Sequence, residues 1–325
     1  MNDCQESKRH ARYLGNAGDK DGIIYNGENW IVKYPKSTKA FQGNNLATYT
    51  TSPLSEYIGS KIYEILGINV HQTELCFRNN QIAVACKDFQ KNWGDLLEIR
   101  GIKNSANKQI FKEGEELPLS ATGDNVNLEE LFLHFEKNPF LNNDYIKKQL
   151  QERFWDCVLI DILIDNNDRN NANWGLLYDE DNERYELAPV YDNGNSFSNK
   201  LCDKRLKEIV EENNINQVTG TRTVYSYQDK ILSSKKILEF DNEILKQEIL
   251  KIVPLIKEHL KDIRQMINDI PEEYHNLPVC SSIKKNYYNF CLKERYEKIL
   301  EPVYIKVKQE IKDSQKEEPE ELIER

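Results

Sequence analysis

Short runs of β-forming residues alternate with polar turns near the start of the chain. Two such runs in residues 22–34 flank Asn26-Gly27, a pair typical of a tight hairpin turn. Residues 73–77 and 81–86 form a second pair of runs around a short polar turn. The pattern predicts two β-hairpins.

One stretch between these hairpins has helical spacing. Apolar residues recur every four positions from Leu54 to Leu66. Ser52 is the expected N-cap, Pro53 suits the first turn, and Gly67 suits the residue after the last turn. The pattern predicts a single helix among the strands.

Longer helical patterns dominate the rest of the chain. Apolar residues at four-residue intervals predict a buried helix from Asp144 to Ile164. Amphipathic stretches follow at residues 241–268, with an expected bend at Pro254, and at residues 283–312. These helices would form the larger part of the molecule.

The change in pattern places a domain boundary between Cys86 and Trp93. We predict an α+β fold with two lobes, a small β-rich lobe at residues 1–90 and a larger, mainly helical lobe at residues 91–312. Residues 313–325 hold six acids and two bases and are expected to form a frayed tail.

Composition excludes several classes of protein. The 325 residues include 44 basic and 54 acidic side chains, so the net charge of −10 argues against nucleic acid as a partner. The densest apolar run, residues 157–164, is too short to span a membrane, and the N-terminus lacks the apolar core of a signal peptide. Seven scattered cysteines show no zinc-ligand spacing. We expect a soluble protein of the bacterial cytoplasm, without zinc.

Oxygen-bearing side chains are crowded into residues 164–197, directly after the predicted buried helix. Such side chains suit a hard cation. A calcium loop of the EF-hand type requires Gly at its sixth position and Glu at its twelfth, and counting from Asp165 or Asp179 finds neither. The segment therefore lacks this calcium motif.

The same segment matches the needs of phosphoryl transfer better. That reaction uses an acidic residue that orients the attacking hydroxyl, an oxygen ligand a few residues later, and a second carboxylate that reaches Mg²⁺. Asp168, Asn173 and Asp192 have this order, and the first two match the pattern D-x-x-x-x-N. A solvated polar turn is the alternative interpretation of the same residues.

A strand lysine and a helix glutamate complete the pattern. Lys33 lies on the run WIVKYP and Glu56 lies in the first turn of the predicted helix. In protein-kinase-type sites such a pair holds the α- and β-phosphates of ATP. An ordinary strand charge and a favourable helix N-terminal acid are the alternatives for each residue alone.

Two backbone segments are candidates for nucleotide contacts. A loop of small residues could approach phosphate oxygens closely. The end of the last N-terminal strand would be the hinge whose backbone binds an adenine edge. The loop comprises Gly15, Asn16, Ala17, Gly18, Asp19 and Lys20, and the hinge comprises Ala85, Cys86, Lys87 and Asp88.

Together these motifs resemble the HipA-like serine/threonine kinases, a branch of the kinase-like superfold. The resemblance rests on GNAGDKDG, WIVKYP, SPLSEYIGSKIYEILGI, NNDRNNANWGLL and LAPVYDNG, which span residues 15–194 in order. It implies a two-lobed HipA-like fold, ATP and Mg²⁺ as cofactors, and a protein acceptor. It assigns Asp168 as catalytic base, Asn173 and Asp192 as Mg²⁺ ligands, and Lys33 with Glu56 as the phosphate-contacting pair.

The resemblance also has wider implications. The chain is most similar to a secreted, pro-inflammatory member of the family, which implies release and action in host cells. Phosphorylation of the protein by itself is expected, with candidate hydroxyls at Ser196, Ser198, Thr219, Thr221 and Thr223.

Two departures and two alternatives stand beside this assignment. Asn167 precedes Asp168 where protein kinases have Arg, and DNG replaces DFG at Asp192. The pattern N-D-R-x-x-x-N-W is also similar to phosphoinositide 4-kinases, so a lipid or small-molecule kinase is one alternative. A non-catalytic nucleotide-binding scaffold is the other.

Overall fold

The N-terminal part of the protein is one six-stranded sheet. The computed structural model describes residues 1–13, 20–41, 43–90, 95–111, 118–121 and 123–317. The strands are β1 (Asn2–Asp3), β2 (Lys8–Tyr13), β3 (Lys20–Tyr25), β4 (Glu28–Lys33), β5 (Thr73–Arg78) and β6 (Gln81–Lys87). Their order is β1-β5-β6-β4-β3-β2, and neighbours are antiparallel except for the parallel pair β1 and β5.

Both predicted hairpins are confirmed. Asn26 and Gly27 join β3 to β4 with φ angles of 51° and 79°, the left-handed conformation that a tight hairpin turn requires. The second turn is shorter than expected because Arg78 still pairs with Gln81. Its two central residues are asparagines, which tolerate positive φ better than most residues.

Helix α1 (Ser52–Ile65) is the helix predicted among the strands. Its expected cap is wrong by one residue, since Ser52 is already helical and Thr51 occupies the N-cap position without a side-chain capping bond. Pro53 lies in the first turn, where its missing N–H costs no hydrogen bond. Gly67 follows the last turn with φ of 71°, as expected of a helix stop.

The larger part of the molecule is mainly helical, as predicted. Its helices are α2 (Ile99–Ile110), α3 (Leu128–Lys137), α4 (Asp144–Ile164), α5 (Asp203–Glu211), α6 (Ile215–Thr219), α7 (Ser234–Ile237), α8 (Glu243–Asp269), α9 (Ser282–Arg295) and α10 (Glu301–Glu317). A 3₁₀ turn covers Pro139–Leu141, and a π-helical turn, Tyr296–Leu300, connects α9 to α10.

Three small sheets complete this part of the structure. One has the order β10-β9-β7, one has the order β12-β11-β8, and one is the pair β13 and β14. The strands are β7 (Asp95–Glu98), β8 (Val126–Asn127), β9 (Gly175–Asp179), β10 (Arg184–Leu187), β11 (Arg222–Tyr227), β12 (Lys230–Ser233), β13 (Glu273–Tyr274) and β14 (Leu277–Pro278).

The division into residues 1–90 and 91–312 stays a prediction, which the pairing of β7 with β9 supports. Helix α8 continues through Pro254. Helix α10 extends to Glu317, so the first residues of the expected tail are helical, and residues 318–325 lie outside the described part of the chain. No helix in the described ranges is long and apolar enough to cross a bilayer.

Helix α4 is the centre of the main core. Every residue from Phe154 to Asn166 is buried, including three aspartates, so the second half of this helix has no solvent-facing side. The same apolar cluster includes Leu54, Ile58 and Ile62 of α1. Helix α1 therefore packs on the helical core, and Tyr63 in its last turn forms a hydrogen bond with Asp161 of α4.

Candidate active site

Lys33 and Glu56 meet where the sheet contacts the core. Trp30 and Val32 of β4 are buried in the small apolar cluster of the sheet, so strand alternation directs Lys33 to the opposite face. Its Nζ lies 2.9 Å from Oε2 of Glu56 and 3.0 Å from Oδ1 of Asp192. The structure thus joins residues that are 159 positions apart in the sequence.

Electrostatics keep this group of side chains ionised. Burial by itself would lower the pKa of Lys33, but the carboxylates of Asp192 and Glu56 outweigh it and hold that pKa well above its usual value. Burial would likewise raise the pKa of Glu56, yet Lys33 and His71 hold it well below the usual range. The site therefore holds a partly buried ammonium beside two carboxylates.

The second oxygen of Glu56 is also occupied. Oε1 lies 2.9 Å from Nε2 of His71 and accepts a 3.0 Å hydrogen bond from the backbone N–H of Asn193. The sequence analysis assigned no role to His71. His71 is buried and positions Glu56, and its place two residues before β5 gave no signal of that contact.

The segment after α4 carries the predicted base. Helix α4 ends at Asp165 in the left-handed conformation, φ 58°, which turns the chain sharply into this segment. Nδ2 of Asn173 donates to the carbonyl oxygen of Asp168 at 2.6 Å, and Nδ2 of Asn170 donates to its Oδ1 at 3.0 Å. Burial raises the pKa of Asp168, and the nearby charge of Asp192 adds to that rise.

The oxygens of Asn173 and Asp192 fit a hard cation. The amide nitrogen of Asn173 donates to the carbonyl oxygen of Asp168, which leaves Oδ1 of Asn173 pointing elsewhere. Oδ1 of Asn173 has no hydrogen-bond donor among the described residues. Oδ2 of Asp192 also lacks a donor there, since Lys33 contacts only Oδ1. An amide oxygen and a carboxylate oxygen are the ligand types that Mg²⁺ prefers. The site therefore has donor chemistry that suits the predicted metal.

Arg169 is a second residue of this site that the sequence analysis missed. Its guanidinium, 1% exposed, pairs with Asp161 through Nε at 2.8 Å and Nη2 at 3.1 Å. It also donates to the backbone carbonyls of Asn173 and Tyr191 and to Oδ1 of Asn193. One buried side chain thus joins α4, the Asp168 segment and the Asp192 segment.

Asp161 explains why a buried arginine is needed. It lies in the run CVLIDILI on the fully buried half of α4, where an unpaired carboxylate would be very costly. Tyr63 of α1 donates its hydroxyl to Oδ1 of Asp161 at 2.9 Å, and Arg169 supplies the countercharge. An acid inside a buried helix was the signal in the sequence that a cationic partner lay nearby.

Comparison with known proteins gives the family. Residues 16–247 match the model of the HipA-like C-terminal domain, which is more than half of the chain. The chain belongs to the HipA-like family. The serine/threonine-protein kinase CtkA of Helicobacter pylori (strain J99 / ATCC 700824) is 29% identical over 300 residues, which cover 88% of this HipA-like chain and 82% of CtkA.

A solved structure confirms the fold. The crystal structure of the Helicobacter pylori proinflammatory kinase CtkA matches the HipA-like chain with a TM-score of 0.80 at 24% identity, over 95% of this chain and 98% of that one. The two-lobed, kinase-like fold expected from the sequence is therefore confirmed.

The DNG triplet of this HipA-like chain has a polar role where DFG has an aromatic ring. Oδ1 of Asn193 accepts a hydrogen bond from Arg169, and Nδ2 of Asn193 donates to Oγ of Ser60 at 3.0 Å. Asp192 adopts φ of 60°, a conformation that is uncommon outside glycine and typical of functional segments. Gly59 leaves room for this contact, since a Cβ at that position would lie 2.8 Å from Cβ of Asn193.

The described residues of the two predicted nucleotide-contacting segments lie in, or directly after, strands of the sheet that carries Lys33. Lys20 of the HipA-like chain pairs with Lys33 in the β3–β4 register, whereas the rest of the predicted phosphate loop, Gly15 to Asp19, lies outside the described residues. In the predicted hinge, the amides of Lys87 and Asp88 already donate to backbone carbonyls within the fold. Ala85 and Cys86 pair with β4, and adenine contacts at this hinge stay a prediction.

One cluster near Lys33 has the ligand types of a soft metal. Glu56, His71 and Cys86 each place a ligand atom within 4.8 Å of the others. Burial raises the pKa of Cys86 to about 12, which keeps the thiol protonated, and Glu56 already pairs with Lys33. Both oxygens of Glu56 already have partners, Lys33 and His71, and the expected absence of zinc stays a prediction.

Proposed function

We propose that this chain is an ATP-dependent protein serine/threonine kinase. Asp168 orients the acceptor hydroxyl and takes its proton, and Lys33, positioned by Glu56, holds phosphate oxygens of ATP. Asn173 and Asp192 would hold Mg²⁺, which neutralises charge on the phosphates when it is bound. The likeness to CtkA, a serine/threonine-protein kinase, supports the choice of acceptor.

The proposed reaction is a direct displacement at the γ-phosphorus. The acceptor oxygen forms a bond to the γ-phosphorus while the bond from phosphorus to the β,γ-bridging oxygen breaks. ADP leaves, and the hydroxyl proton passes to Asp168. The raised pKa of that carboxyl suits a group that must accept a proton.

One observation supports the proposal above the others. Lys33, Glu56 and Asp192 meet within 3.0 Å, with Lys33 as the shared partner. Structural ion pairs are usually exposed and isolated, whereas this cation lies between two acids at the junction of sheet and core. It is the arrangement that phosphate positioning requires in kinase-type sites.

The test is transfer of label from γ-³²P-ATP in the presence of Mg²⁺ to a generic protein acceptor. Asp168→Asn should lower kcat by about 10²-fold or more with little change in ATP affinity, because a general base acts in the transition state. Asp181→Asn, an exposed aspartate in the β9–β10 turn, is the matched control. Wild-type turnover by the Asp168→Asn protein would remove the assignment.

A second variant tests the metal ligand, and a second acceptor tests the substrate class. Asp192→Asn should raise the Mg²⁺ concentration needed for half-maximal activity, whereas Asp168→Asn should not. Label on phosphoinositide vesicles without label on protein would identify a lipid kinase instead. Absence of any ATP turnover would favour the scaffold.

We extend the proposal to self-phosphorylation and to host proteins. Ser196 is fully buried and its hydroxyl donates to the backbone carbonyl of Asn193, so it is the least accessible of the five candidate hydroxyls. Mass spectrometry after incubation with Mg-ATP identifies the modified residues. The likeness to a proinflammatory kinase supports host acceptors, which labelling of a host-cell lysate tests.

A further inference from the structure

Two stretches without acidic residues face each other beside the candidate active site. Residues 34–51 connect β4 to α1, and residues 193–202 connect Asp192 to α5. They contain three lysines and no Asp or Glu, although the chain has 54 acids in 325 residues. We call the described parts of these stretches, residues 34–41, 43–51 and 193–202, the acid-free rim.

Backbone hydrogen bonds hold the two stretches together. The N–H of Ala47 donates to the carbonyl of Lys200 at 2.9 Å, and the N–H of Cys202 donates to the carbonyl of Asn45 at 2.9 Å. Such pairing fixes the position of the rim relative to the segment that carries Asp192. The rim is thus a built surface of the molecule, made from two parts of the chain.

The rim presents cations and aromatic rings to solvent. Nζ of Lys200 lies 4.7 Å from the ring centroid of Phe41, and neither Lys200 nor the exposed Lys39 forms an ion pair with the described residues. Phe41 is 38% exposed and Tyr49 is 57% exposed. Exposed aromatic rings are enriched in surfaces that bind other proteins, and lysines without an acidic partner attract acidic groups of a binding partner.

The rim is close to the proposed base. Burial raises the pKa of Asp168, and the charge of Lys200 is near enough to act in the opposite direction. The side chain of Asn195, on the rim, donates to Oδ1 of Asn167, the residue before Asp168. An acceptor whose hydroxyl reaches Asp168 would therefore lie alongside the rim.

On the basis of the proposed function, we infer that the acid-free rim binds an acidic segment of the protein acceptor, adjacent to the Ser or Thr that is phosphorylated. Lys200 and Lys39 attract the acidic side chains, and Phe41 and Tyr49 contact the acceptor chain. Lys200 acts here as a specificity-determining residue rather than as part of the phosphoryl-transfer machinery.

Charge distribution favours an acidic protein segment over a nucleic acid. A short acidic segment places its charge on the rim alone. A nucleic acid would extend its phosphates over a surface whose net charge is −10, which repels them. Lys33 is a poor alternative for binding acceptor acids, because two carboxylates already contact it.

Two matched peptides test the inference. Both carry one Ser acceptor, flanked by Asp and Glu in one peptide and by Asn and Gln in the other. The wild-type protein should phosphorylate the acidic peptide with the higher kcat/KM, through a lower KM, and high salt should reduce the difference. Lys200→Gln should reduce the acidic-to-neutral ratio about three- to fivefold, as expected for one exposed charge pair. The KM for ATP should not change.

The control is Lys204→Gln, which removes a lysine four residues further along the chain than Lys200. Lys204 is 86% exposed on α5, 4.0 Å from Glu208 and outside the rim, so the ratio should stay at the wild-type value. Equal wild-type kcat/KM for both peptides would overturn the inference. So would an equal loss on both peptides in Lys200→Gln, which would place Lys200 at the transferring phosphoryl group.

A binding measurement separates this inference from the proposed function. A fluorescent acidic peptide with Ala in place of Ser cannot be phosphorylated, and its anisotropy reports binding alone. The wild-type protein should bind the acidic peptide more tightly than the neutral one, and Lys200→Gln should weaken binding of the acidic peptide. That result supports binding at the rim even where no phosphoryl transfer is found. Transfer to protein without this binding preference overturns the rim and leaves the kinase assignment intact.

Discussion

Loss of the Arg169 side chain should affect both stability and activity, and the two effects can be separated. Arg169→Met leaves the carboxylate of Asp161 buried, with Tyr63 and Asn166 as its remaining side-chain donors. Removing one partner of a buried ion pair costs about 3–5 kcal/mol. That is a large part of the roughly 5–15 kcal/mol by which a typical domain is stable. Phosphoryl transfer should also fall, because the carbonyls of Asn173 and Tyr191 lose their shared donor.

The double variant Arg169→Met, Asp161→Asn separates the two effects. An Asn at position 161 removes the uncompensated charge, while its amide oxygen still accepts from Tyr63. The double variant should therefore regain about 1–3 kcal/mol relative to Arg169→Met, the usual size of coupling between contacting residues. Its transfer activity should stay low, since neither substitution restores the contacts to the two loop segments.

Urea unfolding followed by tryptophan fluorescence measures the free energy of unfolding, and label transfer from ATP measures activity. Arg184→Met is the matched control, because Arg184 is 52% exposed and its ion pairs with Asp179 and Glu186 should contribute at most about 1 kcal/mol. A cost below about 1 kcal/mol for Arg169→Met would refute the reasoning. So would a double variant no more stable than the single one.

Three further substitutions test other contacts. Gly59→Ala should lower the free energy of unfolding by about 1–3 kcal/mol and reduce phosphoryl transfer, because the added Cβ would meet Asn193. The control is Gly101→Ala, where an added Cβ has nothing within 4 Å, and it should be neutral or slightly stabilising in the same urea assay. His71→Phe should lower kcat about tenfold and lower the free energy of unfolding by about 1–3 kcal/mol, because buried Glu56 loses a hydrogen-bond partner. A wild-type kcat would contradict this role. Burial, together with a hydrogen bond that protonated Glu248 donates to Asp156 of α4, raises the pKa of Glu248 to about 8. The fold therefore favours the protonated carboxyl and loses on the order of 1–3 kcal/mol as pH rises from about 4.5 to about 8. Glu248→Gln should abolish that loss in urea titrations at several pH values, and an unchanged pH dependence would show that the carboxyl is not the source.

Chain order and local chemistry allowed much of the structure to be predicted. The hairpin at Asn26-Gly27 and the helix from Asp144 to Ile164 depend on local signals, a turn pair and a four-residue period, and both were found. The pairing of Lys33 with Glu56 was predicted from a functional motif rather than from propensity. It could be anticipated because phosphate binding constrains which residue types must meet.

The supporting contacts could not be predicted in the same way. Arg169 looks like a solvent-facing residue in a polar run, and only the buried position of Asp161 on α4 explains its environment. His71 depends on a side-chain distance across two elements. The rim around Lys200 depends on backbone pairing between distant loops, which leaves no periodic signal in the sequence.

The contacts of Glu56 limit how such a protein could be regulated. Many kinases are switched off by swinging the helix that carries this glutamate away from the lysine. Here the carboxylate is 1% exposed and holds Lys33, His71 and the amide of Asn193 at once, so an outward swing of α1 would break all three contacts together. The helix also belongs to the main apolar core, which would have to open with it. Movement of α1 is therefore an unfavourable way to separate Glu56 from Lys33 in this protein.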